Sequence, residues 1–521
     1  MTRISPIDLE VYWSRLVNIV DEAGAALKRT SFSPIVRESN DFACVLLDES
    51  GRLLVQSTLS VPGFIGTAAF SLQHMLNVFP RETLSPGDVL FTNDPWIGTG
   101  HLPDSTLAAP IINEGRIVAF VVTIAHLSDI GGRQWSADST EIFEEGIRFP
   151  VLKLMEKGEP NQLVFDLLAA NVRIPDQVLG DLRAQLSAIH VAEERLRQIL
   201  AEYQLSDLAE IASEVFAITE RMTLEGVRKI PSGVYTGHVA ADGWDEEINI
   251  RASLTVSHDG IVVDYAGSSP QSRYGINESY NHTYAYTVFP LKCMLVPGVQ
   301  NNDGFLRCLR VIAPSGTIVN CRSPAPVGGR QLVGHLLQAA VFDALANVLP
   351  AHVQADSGTP LWTIVLRGVD SARDASFSTI LFFNGGIGAM RDRDGRACTS
   401  FPGNISNTPI EITENLAPIL FTAKRVAEGS GGAGQTRGGE GQIVAFQSRW
   451  PTPIKVSLLT ERNRVPAKGL FGGEPGAVGH VFRNGAPVLQ PKGVVELMPG
   501  DTLELALPGG GGFGRAVSMP G

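Results

Sequence analysis

Apolar positions recur at helical spacing from the first residues onward. Leu9, Trp13, Leu16, Ile19 and Val20 fall on one face of a helix predicted over 6–28, with Ser5 placed to cap it and Pro6 in its first turn. The period then shortens. Cys44-Val45-Leu46-Leu47-Asp48 and Arg52-Leu53-Leu54-Val55-Gln56 flank Glu49-Ser50-Gly51, the pattern of a β-hairpin. A second helix is expected over 67–78, and the apolar runs at 89–92 and 117–124 read as buried strands. Helical periodicity returns over 160–228, with long stretches near 174–203 and 205–229, until Pro231-Ser232-Gly233 breaks it.

Beyond that break, strand patterns at 248–256 and 260–265 precede helices near 280–296 and 334–348. From about Trp362 the chain is strand-rich and increasingly glycine-rich. The fold class is therefore α+β (mixed α/β) and multi-domain, with a helix-rich N-terminal half and a strand- and glycine-rich C-terminal half. Three domains are expected: 1–230 with a metal site and a helical segment, 231–360 of mixed α/β character, and 361–521, glycine-rich and β-dominated. The pattern assigns no sheet order.

Composition narrows the partners. In 521 residues, 44% hydrophobic and 18% charged content describe a globular chain. A net charge of −12 with no Lys/Arg block argues against a nucleic-acid footprint. No apolar run approaches the ~18 residues of a membrane span, and the N-terminus lacks the apolar core of a signal peptide. The five cysteines are scattered without a Cys-x-x-Cys pair. That excludes a disulfide framework or cysteine-based zinc site and points to a reduced, cytoplasmic protein.

Candidate chemistry concentrates between Asn93 and Gly132. This stretch holds Asn93-Asp94-Pro95, His101-Leu102-Pro103-Asp104 and His126-Leu127-Ser128-Asp129, in a chain with ten histidines in all. Asn93-Asp94 and His126 each follow an apolar strand, where a rigid scaffold can hold a reactive group. His101 and Asp104 are near enough in sequence to share one loop or turn, and His126 can close the set from a neighbouring backbone. Two imidazoles and a carboxylate can bind a divalent ion that lowers the pKa of a water ligand towards ~7. Asp41 is a candidate fourth ligand. Asp94 and Asp129 are candidates for catalytic groups that orient an imidazole or relay a proton. A loop histidine and a strand-end histidine with no ion between them form the competing reading.

The glycine clusters at 383–388, 429–434, 437–441 and 508–514 lack the Gly-Lys-Ser/Thr ending of a P-loop, so tight turns and close strand packing explain them better than phosphate cradling. Arg437, set among them, is a candidate for gripping a carboxylate or phosphate. No nucleophile elbow appears. Glu144 with Glu145, and Glu411 with Glu414, are expected on solvated loops.

Taken in order, Asn40-Asp41-Phe42, Asn93-Asp94-Pro95, His101-Leu102-Pro103-Asp104, His126 through Gly132, Glu145-Gly146, Asp181-Leu182-Arg183-Ala184-Gln185, Pro324-Ala325-Pro326-Val327, Gly385 to Ala389, Gly431 to Gly434, Arg437-Gly438-Gly439 and Pro508 to Gly512 resemble the hydantoinase B/oxoprolinase family. The resemblance covers nearly the whole chain. It implies the metal-containing subunit of an ATP-dependent hydrolase of cyclic amides such as hydantoins, 5-oxoproline and lactams. A hydantoinase A-type partner would bind ATP and phosphorylate the substrate carbonyl, in a hetero-oligomer. It implies His101, Asp104 and His126 as ligands of Zn or Mn, with Asp41 as the fourth. The alternative within the resemblance is a subunit of an ATP-dependent acetone or acetophenone carboxylase. Where the family has Asn-Asp-Pro-Tyr and Gly-Gly-Thr-His, this chain has Trp96 and Gly98-Thr99-Gly100-His101.

Overall fold

The computed structural model describes residues 4–133, 135–370 and 374–516; the first three residues of the N-terminus lie outside them. The chain opens with helix α1 (Pro6–Thr30), whose Ser5 hydroxyl accepts the Asp8 N–H. Short α2 (Pro34–Arg37) and α3 (Thr67–Val78) follow. Seven strands build the first sheet: β1 (Phe42–Asp48), β2 (Leu53–Gln56), β3 (Val89–Thr92), β4 (Asp104–Asn113), β5 (Arg116–His126), β6 (Leu152–Glu156) and β7 (Glu159–Pro160). Their order is β2-β1-β5-β4-β3-β6-β7, and every pair is antiparallel.

This sheet lies between two apolar layers. Phe42, Cys44 and Leu46 of β1, with Val121 and Ala125 of β5, face a layer that includes α1 and the long helix α5 (Pro175–Glu202), which follows α4 (Gln162–Asn171). Ala43, Val45 and Leu47, with Phe120, Val122 and Ile124, face the opposite layer. Burial on both faces explains why β1 and β5 are continuous apolar runs rather than alternating ones.

After α6 (Ala209–Val227), a second sheet comprises β8 (Gly233–Ala241), β9 (Ile248–Ser257), β10 (Gly260–Asp264) and β11 (Leu309–Ile312), in the order β11-β10-β9-β8. Between β10 and β11 run α7 (Tyr280–Leu295) and the turn α8 (Asp303–Leu306); α9 (Gln331–Gly334) and α10 (Leu337–Leu345) come after. The remaining strands are β12 (Trp362–Asp370), β13 (Ala375–Phe383), β14 (Ile419–Ala427), β15 (Gly441–Ser448), β16 (Ile454–Leu459), β17 (His480–Arg483), β18 (Ala486–Pro487), β19 (Val494–Leu497) and β20 (Thr502–Ala506). They form sheets β13-β12-β16-β19 and β14-β15-β20-β17-β18, which share one apolar core. A second apolar cluster runs from Ile35 to Phe513 and joins the N-terminal, middle and C-terminal segments.

The glycine clusters meet each other. Gly432 N donates to Gly510 O at 2.8 Å, Gly510 N to Gly439 O at 2.9 Å, and Gly386 N to Pro508 O at 3.0 Å. A Cβ on Gly438 or Gly386 would overlap the carbonyl of Gly510 or Gly439. Close backbone packing, the expected role, is what these loops do.

Candidate metal centre

Strand register brings the candidate ligands together. Asp104 is the first residue of β4, His126 the last of β5, and they are cross-strand partners. Phe42 pairs with Ala125, and His126 N donates to Asp41 O at 3.2 Å, so Asp41 reaches the same end of the sheet. His126 lies on the face of Phe120, Val122 and Ile124, which looks towards α7. His101 comes from the turn that leads into β4.

The side chains converge. His101 Nε2 is 2.7 Å from Asp104 Oδ1, and His126 Nδ1 is 3.1 Å from the same oxygen. These three residues form a metal-type cluster with ligand atoms within 4.8 Å of one another. Asp41 Oδ2 stands further out, 3.9 Å from His126 Nδ1. All four residues are buried.

The polar surroundings fit a cation. Burial, with Arg330 nearby, pushes His101 down to about 3, so its imidazole is neutral. Its Nδ1 lies 3.4 Å from Gly328 O, which can accept the ring proton when Nε2 serves as a ligand. Nε2 then presents a lone pair to the Asp104 carboxylate and has no hydrogen-bond partner. Two such groups at 2.7 Å repel unless a positive centre joins them. Separations of 2.7 and 3.1 Å also approach the ~3 Å spacing of adjacent donors about a small ion with bonds of ~2.1 Å. Burial opposes the Asp104 charge, but the Arg330 guanidinium beside it holds its pKa well below the usual carboxylate range. Burial raises Asp41 to about 6.

Several residues that the sequence did not assign to the ligand set complete the surroundings. Arg330 Nη2 is 2.6 Å from Asp104 Oδ2, and its Nε donates to Thr99 O at 2.8 Å. Thr99 Oγ1 also donates to Oδ2, which leaves Oδ1 for the imidazoles. Gly100 makes room for the arginine: a Cβ there would stand 2.8 Å from Arg330 Cδ. Trp135 packs its ring 4.4 Å from that of His126 and 5.4 Å from that of His101, and its Nε1 donates to Gly328 O at 2.6 Å. Behind β4, Gln185 of α5 accepts from Ser105 Oγ at 2.6 Å and fixes the strand beside Asp104.

Other candidates lie elsewhere. Asp94 closes its own turn by accepting Trp96 N–H at 2.9 Å and faces Arg148 at 3.7 Å. Asp129 accepts from Arg173 N, Arg173 Nη1 and Gly131 N. Neither aspartate orients an imidazole among the described residues; Gly328 O and Trp135 make those contacts. Arg437 is an exposed side chain 3.6 Å from Glu440, away from the cluster. Glu145, expected on a solvated loop, is buried and accepts Val327 N–H and Gly328 N–H at 2.9 and 2.8 Å. It thereby pins the loop whose carbonyl meets His101.

A small cavity, about 30 Å³, opens between the ligands and α7. This is on the order of one or two water-sized volumes. On its far side stand His282, Tyr286 and His335. Glu278, His282 and Tyr286 recur at helical spacing, the one sequence signal that could have drawn attention to them.

The family model for hydantoinase B/oxoprolinase matches residues 5–516. The chain belongs to the hydantoinase B/oxoprolinase family. The putative B-type subunit of a D-/L-hydantoinase from Pseudomonas sp. (strain NS671) is 28% identical over 546 residues, covering 99% of this chain and 91% of the relative. The crystal structure of an ATP-dependent caprolactamase from Pseudomonas jessenii superposes with a TM-score of 0.89 at 27% identity, covering 98% of this chain and 91% of that one. A nucleotide-free acetone carboxylase shares the fold, with a TM-score of 0.88 at 18% identity over 98% of this chain and 76% of its own. No helix among the described residues is long and apolar enough to cross a membrane.

Proposed function

We propose that this chain is the metal-bearing subunit of an ATP-dependent cyclic-amide hydrolase of the hydantoinase, oxoprolinase or lactamase type. It acts in the cytoplasm in a hetero-oligomer with a hydantoinase A-type subunit. The observation that carries the reading is the buried convergence of His101, Asp104 and His126 on a cavity in a chain of this family. The absence of a P-loop motif supports a division of labour in which the partner binds ATP and phosphorylates the amide oxygen.

An unactivated amide carbon is a poor electrophile, and phosphorylation of its oxygen corrects that. His101, Asp104 and His126, with Asp41 at the edge, would hold Zn or Mn. Such an ion would supply Lewis acidity and lower the pKa of water. Arg330 and Thr99 keep one oxygen of Asp104 occupied and the other directed at the imidazoles.

The test is to purify the chain with its A-type partner and measure ADP formation with hydantoin, 5-oxoproline, ε-caprolactam and acetone, each with and without bicarbonate. Amide-dependent ADP formation with ring opening is expected. ATP turnover requiring both ketone and bicarbonate would replace the hydrolase reading with a carboxylase one.

A further inference from the structure

The cavity has a second chemical wall. Glu278 stands just before α7, and His282 and Tyr286 follow on the helix; both rings line the cavity shared with His101, Asp104 and His126. His282 Nδ1 is 2.7 Å from Glu278 Oε2, so the carboxyl fixes the imidazole and leaves Nε2 for the cavity side. Two glycines keep the ring uncovered. A Cβ on Gly63 would stand 3.1 Å from His282 Nε2 and 2.9 Å from Tyr286 Cε2, and one on Gly334 would stand 2.7 Å from His282 Cε1. Gly334 closes the short helix α9, where helix propensity alone would favour alanine over glycine. Room for the histidine and its carboxyl partner is what it provides. The Tyr286 ring packs against His282 at 4.7 Å and is itself held by His335, whose Nε2 is 2.9 Å from its hydroxyl.

We propose that Glu278 and His282 form a proton-delivery pair for the departing ring nitrogen, with His282 Nε2 as the atom that meets it. The inference rests on the cyclic-amide reading above. Opening the ring breaks the C–N bond and leaves its electron pair on nitrogen, which is too basic to depart unprotonated. Water adds its oxygen to the carbon that bears the phosphorylated oxygen. The C–N bond then breaks as His282 Nε2–H gives its proton to nitrogen, and the Glu278 carboxyl proton moves to Nδ1. The proton released by the water returns to His282 Nε2, and the Nδ1 proton passes back to Glu278, which restores the pair. The products are the open-chain amine and an acyl phosphate, which a second water hydrolyses to carboxylate and phosphate; no electron is exchanged. Burial raises the Glu278 pKa well above the usual carboxylate range and lowers that of His282, so the pair begins as neutral acid and neutral imidazole.

The test uses the full chain with its A-type partner, ATP and, in turn, 5-oxoproline, hydantoin and ε-caprolactam, with ADP and ring-opened product measured separately. His282→Asn keeps an amide oxygen to accept from the Glu278 carboxyl and removes Nε2. Ring opening is expected to fall by about 10²–10⁴-fold, with more ADP formed per ring opened, metal content and melting temperature unchanged, and partial rescue by added imidazole. Glu278→Gln, which keeps a hydrogen bond and removes the transferable proton, decides the matter if His282→Asn melts early; a smaller loss with the same uncoupling is expected. Ring opening within about threefold of wild type in either folded variant, below the usual effect of losing an acid–base group, overturns the proposal. So does a parallel loss of ADP, product and metal. Failure of the underlying reading looks different: wild type itself forms no ADP with any of the three amides.

Discussion

Asp104 and His126 face each other across the β4–β5 ladder, with Oδ1 of one 3.1 Å from Nδ1 of the other. A cross-strand pair is a rigid way to fix two donors, because a one-residue slip would turn one of them to the other face of the sheet. His101 enters the same point from a turn outside the ladder. Replacing either histidine therefore removes a donor without disturbing the sheet. His101→Ala and His126→Ala should each purify with little zinc or manganese, while circular dichroism matches the wild type. Wild-type metal content in both variants, measured by elemental analysis, would remove the metal site.

Arg330 and Asp104 are both buried, and their contact is 2.6 Å. Breaking such a pair by removing one partner leaves an uncompensated buried charge, at a cost of about 3–5 kcal/mol. Arg330→Met should lower the stability of chelator-treated protein by an amount in that range. Urea unfolding reads it directly, and a change below about 1 kcal/mol, the scale of an exposed pair, would show that the arginine is not what holds Asp104.

Much of this arrangement was legible in the chain. The α1 and α3 patterns, the β1–β2 hairpin and the β3 and β5 runs stand where the apolar pattern places them, because the helices bury one regular face and these strands bury both. β4 was not legible: it begins at Asp104, inside what reads as a motif loop, and Pro110 interrupts its apolar pattern. Arg330 was not legible either, since its partner lies 226 positions away in sequence. Asp94 and Asp129 look like helpers of the histidines only because they are close in sequence; the fold uses both in turns and ion pairs. Glu145 reads as solvated beside Glu144, yet two backbone N–H groups from a distant loop bury it.

Glu145 makes a pH-dependent contribution with a definite sign. Burial raises its pKa from 4.5 to about 8, against the pull of the Gly328 and Val327 N–H groups. The folded state thus binds this proton more tightly than the unfolded chain does. Its contribution is complete below about pH 4.5 and is lost as pH rises to about 8. Glu145→Gln carries no such proton, so its melting temperature should fall less between these limits and exceed that of wild type above pH 8. Parallel melting curves for the two proteins across that window would refute the assignment.

Neighbouring residues 437 and 438 should respond very differently to alanine. Arg437 extends an exposed side chain with a 3.6 Å contact to Glu440, so Arg437→Ala should change stability by no more than about 0.5 kcal/mol. Gly438 has no such freedom. Its N–H donates to Gly432 O at 2.9 Å, and a Cβ would overlap the Gly510 carbonyl, which itself accepts the Gly432 N–H. Backbone cannot swing aside as a long side chain can, so three loops must shift together. Overpacking of this kind costs about 1–3 kcal/mol or more, and Gly438→Ala should show it as an earlier urea midpoint with the metal site intact. If Gly438→Ala unfolds with the wild-type protein and Arg437→Ala does not, the glycine contact is not what holds these loops together.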